Sequence, residues 1–253
     1  VNTITFEKTK QIYQERFANA GDFTFIFTGD IDLEKLKPLV ETYIASLPTT
    51  GVKQEYKDNH VRYAKGKIIR HIEKELTTDK ASISVLYTAK LPYSAENKIL
   101  SAAFRYILRD RYMKSIREEK GGAYSVSVNA TEEAVPTNQV TIEVNFDTAP
   151  FMADEMLAIV QKEIDDLVKN GPSSSELENA QRYFNKLYKT NISTNSYWQE
   201  TLSDYYRYGI DNFTNYENTM NGLTPSDIRK FAKTVFGQKN KMEFVLLPKK
   251  ITG

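Results

Sequence analysis

The stretch SIREEKGGAYSVSVNA, residues 115–130, contains a charged helical tail, two adjacent glycines and a segment that alternates as a strand does. Glycine often ends helices because it adopts the left-handed conformation that a C-cap needs. We therefore predict that a long helix over residues 95–119 ends at Gly121 and Gly122. A strand over residues 123–130 is predicted to follow at once.

Hydrophobic periodicity and capping residues on either side of this turn predict the remaining elements. In chain order these are a helix over 5–18, a strand within 21–30, a helix after Asp32, strands over 67–76 and 81–89, the helix over 95–119, strands over 123–130 and 139–146, a helix over 147–170, further helices to about 208, a helix from 225 and a last strand over 241–248. Strands in pairs followed by runs of helices predict an α+β fold, with a mostly antiparallel sheet and helices on one face.

The chain shows one internal similarity, between its opening and its closing segments. TFEKTKQIYQERFANAGDFTFIFTG near the start and TPSDIRKFAKTVFGQKNKMEFVLLP near the end both read as a helix followed by a strand. We therefore expect residues 1–50 to be the closing helix–strand–helix segment of a preceding domain. Residues 51–64 read as a linker, and residues 65–253 as one complete α+β domain. The sequence begins without methionine or an apolar signal region, so we expect a processed product or a fragment.

Composition narrows the classes of function. The formal net charge is +1, with 26% charged and 40% hydrophobic residues, which is typical of a globular protein. The near-zero charge argues against a dominant nucleic-acid surface, and no apolar run approaches the roughly 20 residues of a membrane span. The absence of cysteine excludes disulfides and thiolate chemistry. It fits the cytoplasm and the periplasm equally, so the compartment stays open.

Metal binding by this chain is not expected. The two histidines, His60 and His71, are eleven residues apart, and neither an HExxH nor an HxxEH motif occurs. Catalytic zinc usually has three protein ligands on one scaffold. We predict two surface histidines and no metal site.

Arg117 and Tyr124 flank the glycine turn seven residues apart. In one interpretation the arginine lies on the surface, where it is favourable to the helix dipole, and the tyrosine packs in the core. In the other, the turn brings both side chains to one point. A guanidinium donates up to five hydrogen bonds and a phenol one, which suits the backbone carbonyls and the developing oxyanion of a peptide substrate.

On these residues the sequence resembles the M16 zinc metallopeptidases, the pitrilysin/insulinase group. SIREEKGGAYSV is similar to the arginine–tyrosine motif in the half of those enzymes that does not bind zinc. FTFIFTGDIDLEKLKPLVETYIASLP, residues 23–48, is similar to the closing strand, turn and helix end of a family domain. The resemblance covers nearly the whole chain and implies the family's α+β domain, of the LuxS/metallohydrolase-like class.

The resemblance also implies a function. Family members form a clamshell of homologous domains, in which one half holds zinc on an HxxEH helix and the other closes over the peptide. By resemblance, Arg117 holds a substrate carbonyl, and Tyr124 hydrogen-bonds the scissile carbonyl and its tetrahedral intermediate as an auxiliary catalytic donor. Gly121 and Gly122 complete the predicted substrate-binding set, with Gly122 at a position where many relatives carry leucine.

The missing HxxEH motif implies that this chain is inactive alone. We expect it to be the C-terminal, substrate-binding portion of a zinc endopeptidase, with the zinc-bearing half in the same polypeptide or on a partner subunit. Two alternatives stay open at this point. One is a scaffold or assembly subunit with the same fold and no proteolytic role, and the other is a free-standing peptide-binding module.

Overall fold

The computed structural model describes residues 4–249, which divide into two compact units. In chain order the main elements are α1 (Phe6–Phe17), α2 (Leu33–Tyr43), β1 (Lys67–Lys74), β2 (Ala81–Lys90), α3 (Ala95–Tyr112), β3 (Ser127–Glu133), β4 (Gln139–Thr148), α4 (Ala153–Lys169), α5 (Ser174–Asn191), α6 (Asn195–Tyr208), α7 (Tyr216–Gly222), α8 (Pro225–Phe236) and β5 (Asn240–Pro248). The larger unit comprises residues 60–191 and 210–249, and the smaller unit comprises residues 4–59 and 192–209.

The larger unit contains a five-stranded sheet in the order β1-β5-β2-β4-β3. The β2–β4, β2–β5 and β3–β4 pairs are antiparallel, and only the β1–β5 pair among the described strands is parallel. The prediction of an α+β fold with a mostly antiparallel sheet is therefore confirmed.

The core of this unit lies between one face of the sheet and the helices. Strand side chains alternate, so that Ile83 and Val85 on β2 share the buried face with Ile142 and Val144 on β4. The helices contribute apolar stripes at helical spacing, which bury Ala103, Phe104, Ile107 and Leu108 on α3, Met156, Val160, Ile164 and Leu167 on α4, and Ile228, Phe231, Ala232 and Val235 on α8. The opposite face of the sheet is more exposed, as Ser82 and Phe244 show.

Several predicted boundaries were wrong, and three of them by four residues or more. The α-helix that begins at Ala95 ends at Tyr112 and continues as a π-helical turn over Met113–Glu118. The strand after the glycines begins at Ser127, because pairing with β4 begins there. The helix predicted from residue 147 begins at Ala153, because the β2–β4 ladder extends to Thr148.

The smaller unit has little core of its own, since neither α1 nor α2 contains a buried residue. The strand predicted within residues 21–30 was also wrong: residues 23–28 belong to no strand in the described chain. Phe23, Phe25 and Phe27 alternate as expected but are 37%, 43% and 47% exposed. A strand is defined by its hydrogen-bonded neighbour, and alternation alone does not supply one.

Candidate functional site

The first component of the candidate site is the π-helical turn that carries Arg117. Its backbone uses i→i−5 bonds, as in the 2.9 Å bond that Glu119 N–H donates to the Lys114 carbonyl. Ile116, which is fully buried, anchors the turn in the core. Short π segments inside helices are rare and occur frequently at functional sites. Arg117 follows the buried Ile116 and has an exposed side chain.

The glycine pair closes this turn. Gly121 N–H donates to the Arg117 carbonyl at 3.0 Å, and Gly122 N–H donates to the Ile116 carbonyl at 2.8 Å. Each bond spans one residue more than its counterpart in a Schellman motif, because the preceding turn is π-helical. Gly121 has φ +61°, a conformation that favours glycine. The glycines therefore end the helix as predicted, after a turn wider than an α-helix would give.

Tyr124 lies between this turn and β3, and its side chain is 88% exposed. Ala123 directly before it and Val126 two residues after it are buried, whereas Ser125 is exposed. A large aromatic side chain held outward by buried neighbours is available for binding. The interpretation of Tyr124 as a core residue is wrong.

The turn brings Arg117 and Tyr124 together. The guanidinium carbon of Arg117 lies 5.5 Å from the centroid of the Tyr124 ring, in cation–π geometry. At an exposed site such a contact contributes about 0.5–1 kcal/mol, which leaves the two side chains able to separate around a ligand. Both donors predicted from the sequence thus lie on one exposed patch.

A groove of about 860 Å³ begins at Tyr124 and crosses the more exposed face of the sheet. Its lining residues include Gly121, Gly122 and Tyr124 on the turn, together with side chains of β2, β4 and β5. Arg117 lies outside this lining set. Three of the four predicted site residues therefore border the groove, and the fourth contacts it through Tyr124.

Arg111, near the end of α3, links this helix to its neighbours just before the π-helical turn, and it was not identified from the sequence. Its Nε and one terminal nitrogen donate to Glu176 at 2.6 and 3.1 Å, and its other terminal nitrogen donates to Asp166 at 2.7 Å. Burial lowers the pKa of this guanidinium, but the hydrogen bonds and charges of Glu176 and Asp166 outweigh burial and raise the pKa overall. The network joins α3, α4 and α5 just before the π-helical turn. An arginine among other charged residues in a helix gives no sequence signal of this kind.

The described residues do not fit a zinc site. Residues 4–249 contain no group of three or more His, Cys, Asp or Glu side chains arranged to hold a metal ion. His71 Nε2 lies 3.9 Å from a carboxylate oxygen of Glu243, a pair rather than a ligand set.

None of the helices that the structure describes is long and apolar enough to cross a bilayer.

The fold is that of solved M16 peptidase domains. The chain belongs to the peptidase M16 inactive domain family, whose model matches residues 3–184. The resemblance in the sequence is thereby confirmed.

Known relatives are longer proteins. The chain is 25% identical over 212 residues to the probable zinc protease PqqL of Haemophilus influenzae, which covers 79% of this chain and 22% of that protein. It thus spans about a fifth of the length of that relative.

Solved structures share the fold. The periplasmic protease PqqL from Escherichia coli superposes with a TM-score of 0.74 at 21% identity, over 87% of this chain and 25% of that one. A peptidase M16 inactive domain from Pseudomonas fluorescens gives a TM-score of 0.77 at 20% identity, over 98% of this chain and 58% of that one.

Proposed function

We propose that this chain is the substrate-binding, zinc-free portion of an M16 zinc endopeptidase. The observation that carries the proposal is the contact between Arg117 and Tyr124, on an exposed turn at the end of a groove. Zinc and its HxxEH helix belong to another half, in the same polypeptide or on a partner subunit. The bound peptide lies between the two halves, which close over it as a clamshell.

In this function the two side chains act as hydrogen-bond donors to the peptide backbone. The Tyr124 phenol donates to the oxygen of the scissile carbonyl as negative charge develops there. The Arg117 guanidinium leaves the tyrosine ring and donates to a neighbouring carbonyl, which fixes the register of the peptide. Gly121 and Gly122 allow the chain to turn so closely that the two donors reach neighbouring carbonyls of one peptide. Losing a donor to a developing oxyanion typically costs about 10²–10³ in kcat.

Reconstitution with a zinc-bearing half tests this function. We expect the chain alone to hydrolyse no peptide and the combined halves to do so. In the combined enzyme, Tyr124→Phe should lower kcat by about 10²-fold, since it removes only the phenolic donor. Arg117→Ala should raise KM and lower kcat/KM.

A second arginine–tyrosine contact on α3 provides the matched control. Arg109 lies 5.7 Å from the Tyr106 ring centroid, in a geometry close to that of Arg117 and Tyr124. Arg109→Ala should leave the kinetics unchanged. If Tyr124→Phe and Arg117→Ala also leave them unchanged, the assigned roles are wrong, and a scaffold without proteolytic function explains the chain better.

We also propose that residues 1–50 are the closing segment of a preceding domain, with residues 51–64 as linker and the complete domain over residues 65–253. The exposed phenylalanines at 23, 25 and 27 and the unburied helices α1 and α2 support this. Hydrogen exchange tests it: amides 23–28 should become protected when the preceding domain is present. Unchanged exchange would refute it.

A further inference from the structure

The groove beside Tyr124 has a floor made of two cross-strand rows. Pairing of the strands aligns Ile72, Leu246, Ser82 and Asp147 in one row, across β1, β5, β2 and β4. The next row aligns Phe244, Ser84 and Asn145. All seven residues line the groove, and none of them belongs to the Arg117–Tyr124 pair.

The chemistry of the groove changes along these rows. At the end away from Tyr124 the lining is apolar, with Ile72, Phe244 and Leu246; Ile72 and Phe244 are 42% and 39% exposed. The middle presents the hydroxyls of Ser82 and Ser84. This lining suits an extended peptide that has one apolar side chain and is polar in its backbone and its other side chains.

Two of the three charged residues that line the groove, Asp79 and Asp147, are acidic, and the third, Lys80, is basic. The lining therefore favours a neutral or basic peptide, and Arg117 adds a positive charge only at the turn end, where it contacts Tyr124. Asp147 already accepts a hydrogen bond from the Ser82 hydroxyl at 2.7 Å. An acidic side chain of a peptide would be repelled by Asp79 and Asp147.

Over β2, β4 and β5 the floor cannot bind a peptide by adding a strand to the sheet, and among the strands of the floor only β1 lies at an edge. β2, β4 and β5 are interior strands, and each is hydrogen-bonded to neighbours on both sides. Strand addition needs a free edge with unpaired N–H and C=O groups. Recognition on this face must therefore come from side chains, which makes it dependent on the sequence of the peptide.

The strand spacing fixes where the apolar end lies relative to Tyr124. Three strand spacings separate β5 from the chain that leads into β3, which is roughly 14 Å at about 4.8 Å per spacing. An extended peptide advances about 3.3 Å per residue, so this distance corresponds to about four residues.

We propose that this groove is a specificity site for an extended peptide, and that it accepts an aromatic or large aliphatic side chain about four residues from the bond that faces Tyr124. The distance to the cleaved bond rests on the proposed function, whereas binding in the groove does not. The occupant is a neutral or basic stretch of substrate polypeptide.

Binding is tested with the chain itself and capped decapeptides. One peptide carries a single Phe in an Ala/Ser/Lys background, and its partner carries Ser in place of Phe. Amide NMR titration should show the Phe peptide binding at least about tenfold more tightly, with shifts at Ser82, Ser84 and Phe244, because burial of an aromatic ring supplies that difference. Replacing Lys by Glu in the Phe peptide should weaken binding.

Variants on the two faces of the sheet distinguish peptide binding in the groove from nonspecific binding to exposed apolar side chains. Phe244→Thr should weaken binding of the Phe peptide by about tenfold. Ile69→Thr is the matched control, because Ile69 is 40% exposed and pairs with Glu243, on the opposite face. If Phe244→Thr lowers stability, Ile72→Thr on the edge strand β1 replaces it. Equal binding of the two peptides, shifts elsewhere, or self-association of the chain through this face would overturn the proposal.

Cleavage by the reconstituted enzyme distinguishes this proposal from the function it extends. Substrates that place Phe at successive positions should be cleaved best when Phe lies about four residues from the cleaved bond. Phe244→Thr should lower the ratio of kcat/KM for the Phe and Ser substrates about tenfold, and Tyr124→Phe should lower both values and keep their ratio. If Phe244→Thr leaves the kcat/KM ratio of the Phe and Ser substrates unchanged, the groove is not a specificity site. If Tyr124→Phe has a normal kcat and peptide binding is intact, the role proposed for the turn is wrong, and the proposal of a specificity groove is unaffected.

Discussion

Gly122 and Met156 are packed so closely that a Cβ atom on the glycine would overlap the methionine sulfur. Met156 lies on α4 and is fully buried, so its side chain has to move within the core to admit that atom. In this chain, Met156 fills the space that a side chain there would need.

The first prediction follows from this contact. Gly122→Ala should lower the free energy of unfolding by about 1–3 kcal/mol, because the added carbon overpacks the core. Urea denaturation at neutral pH measures the change. Gly222→Ala is the control, since nothing lies within 4 Å of a Cβ at Gly222. Equal stabilities of the two variants would show that the core adjusts to the added carbon without cost.

The second prediction concerns the arginine that joins three helices. Arg111→Met should lower the free energy of unfolding by about 2–3 kcal/mol, because it leaves Glu163, Asp166 and Glu176 without their shared partner. The methionine keeps the apolar stem of the side chain, so the loss reports the guanidinium.

Lys114→Met provides the comparison for Arg111. Lys114 pairs with Asp110 at 2.8 Å, but both side chains are substantially exposed. Exposed pairs of this kind contribute about 0–1 kcal/mol. A similar loss in both variants would mean that Arg111 has no special structural role.

The third prediction is the pH dependence of that network. Hydrogen bonds from Arg111 lower the pKa of Asp166, and burial, which raises the pKa of Glu176, is outweighed by its hydrogen bonds to Arg111 and Ser173. Both pKa values are lower in the folded than in the unfolded chain. The stability they contribute is therefore present above the unfolded values, near pH 4, and is lost as pH falls through the folded values.

Urea titrations from pH 7 to pH 2 check this dependence. The stability difference between the wild-type chain and Arg111→Met should shrink as the pH falls below about 4, because the carboxylates become protonated in both. A difference that stays constant down to pH 2 would contradict the assignment.

The fourth prediction concerns a carboxyl group whose pKa is raised, rather than lowered, in the folded chain. Desolvation by burial is the main influence on Glu132, and it raises the pKa of this carboxyl. The protonated Glu132 side chain contributes to stability below the pKa of the unfolded chain, and this contribution is lost as the pH rises through the folded pKa. At neutral pH the buried carboxylate therefore lowers the free energy of unfolding. Glu132→Gln should raise the free energy of unfolding by about 0.5–1 kcal/mol at pH 7.

Thermal unfolding at pH 7 and pH 4 tests the effect of Glu132. The gain from Glu132→Gln should disappear at pH 4, where the carboxyl is protonated. Glu119→Gln, on the exposed surface of the glycine turn, should change little at either pH. A gain at pH 4 equal to that at pH 7 would show that charge is not its cause.

Several features of the candidate site could be predicted from the sequence. The alternation of Val140, Ile142 and Val144 gave a buried strand, and adjacent glycines gave the end of the helix before Tyr124. The π-helical turn could not be predicted, because the spacing of side chains over 113–118 fits an α-helix equally well. The start of β3 at Ser127 could not be predicted either, because it depends on where β4 supplies hydrogen-bonding partners.

The sequence by itself determined most local elements, the buried faces of strands such as β4, and the glycine turn between Arg117 and Tyr124, since periodicity and glycine conformation act over a few residues. Only the tertiary structure decided that Tyr124 is exposed beside a groove and that Arg111 joins three helices. It also decided that Ile72, Leu246, Ser82 and Asp147 form one row. These relationships join residues far apart in the chain, and they depend on strand order and register, which no local pattern encodes.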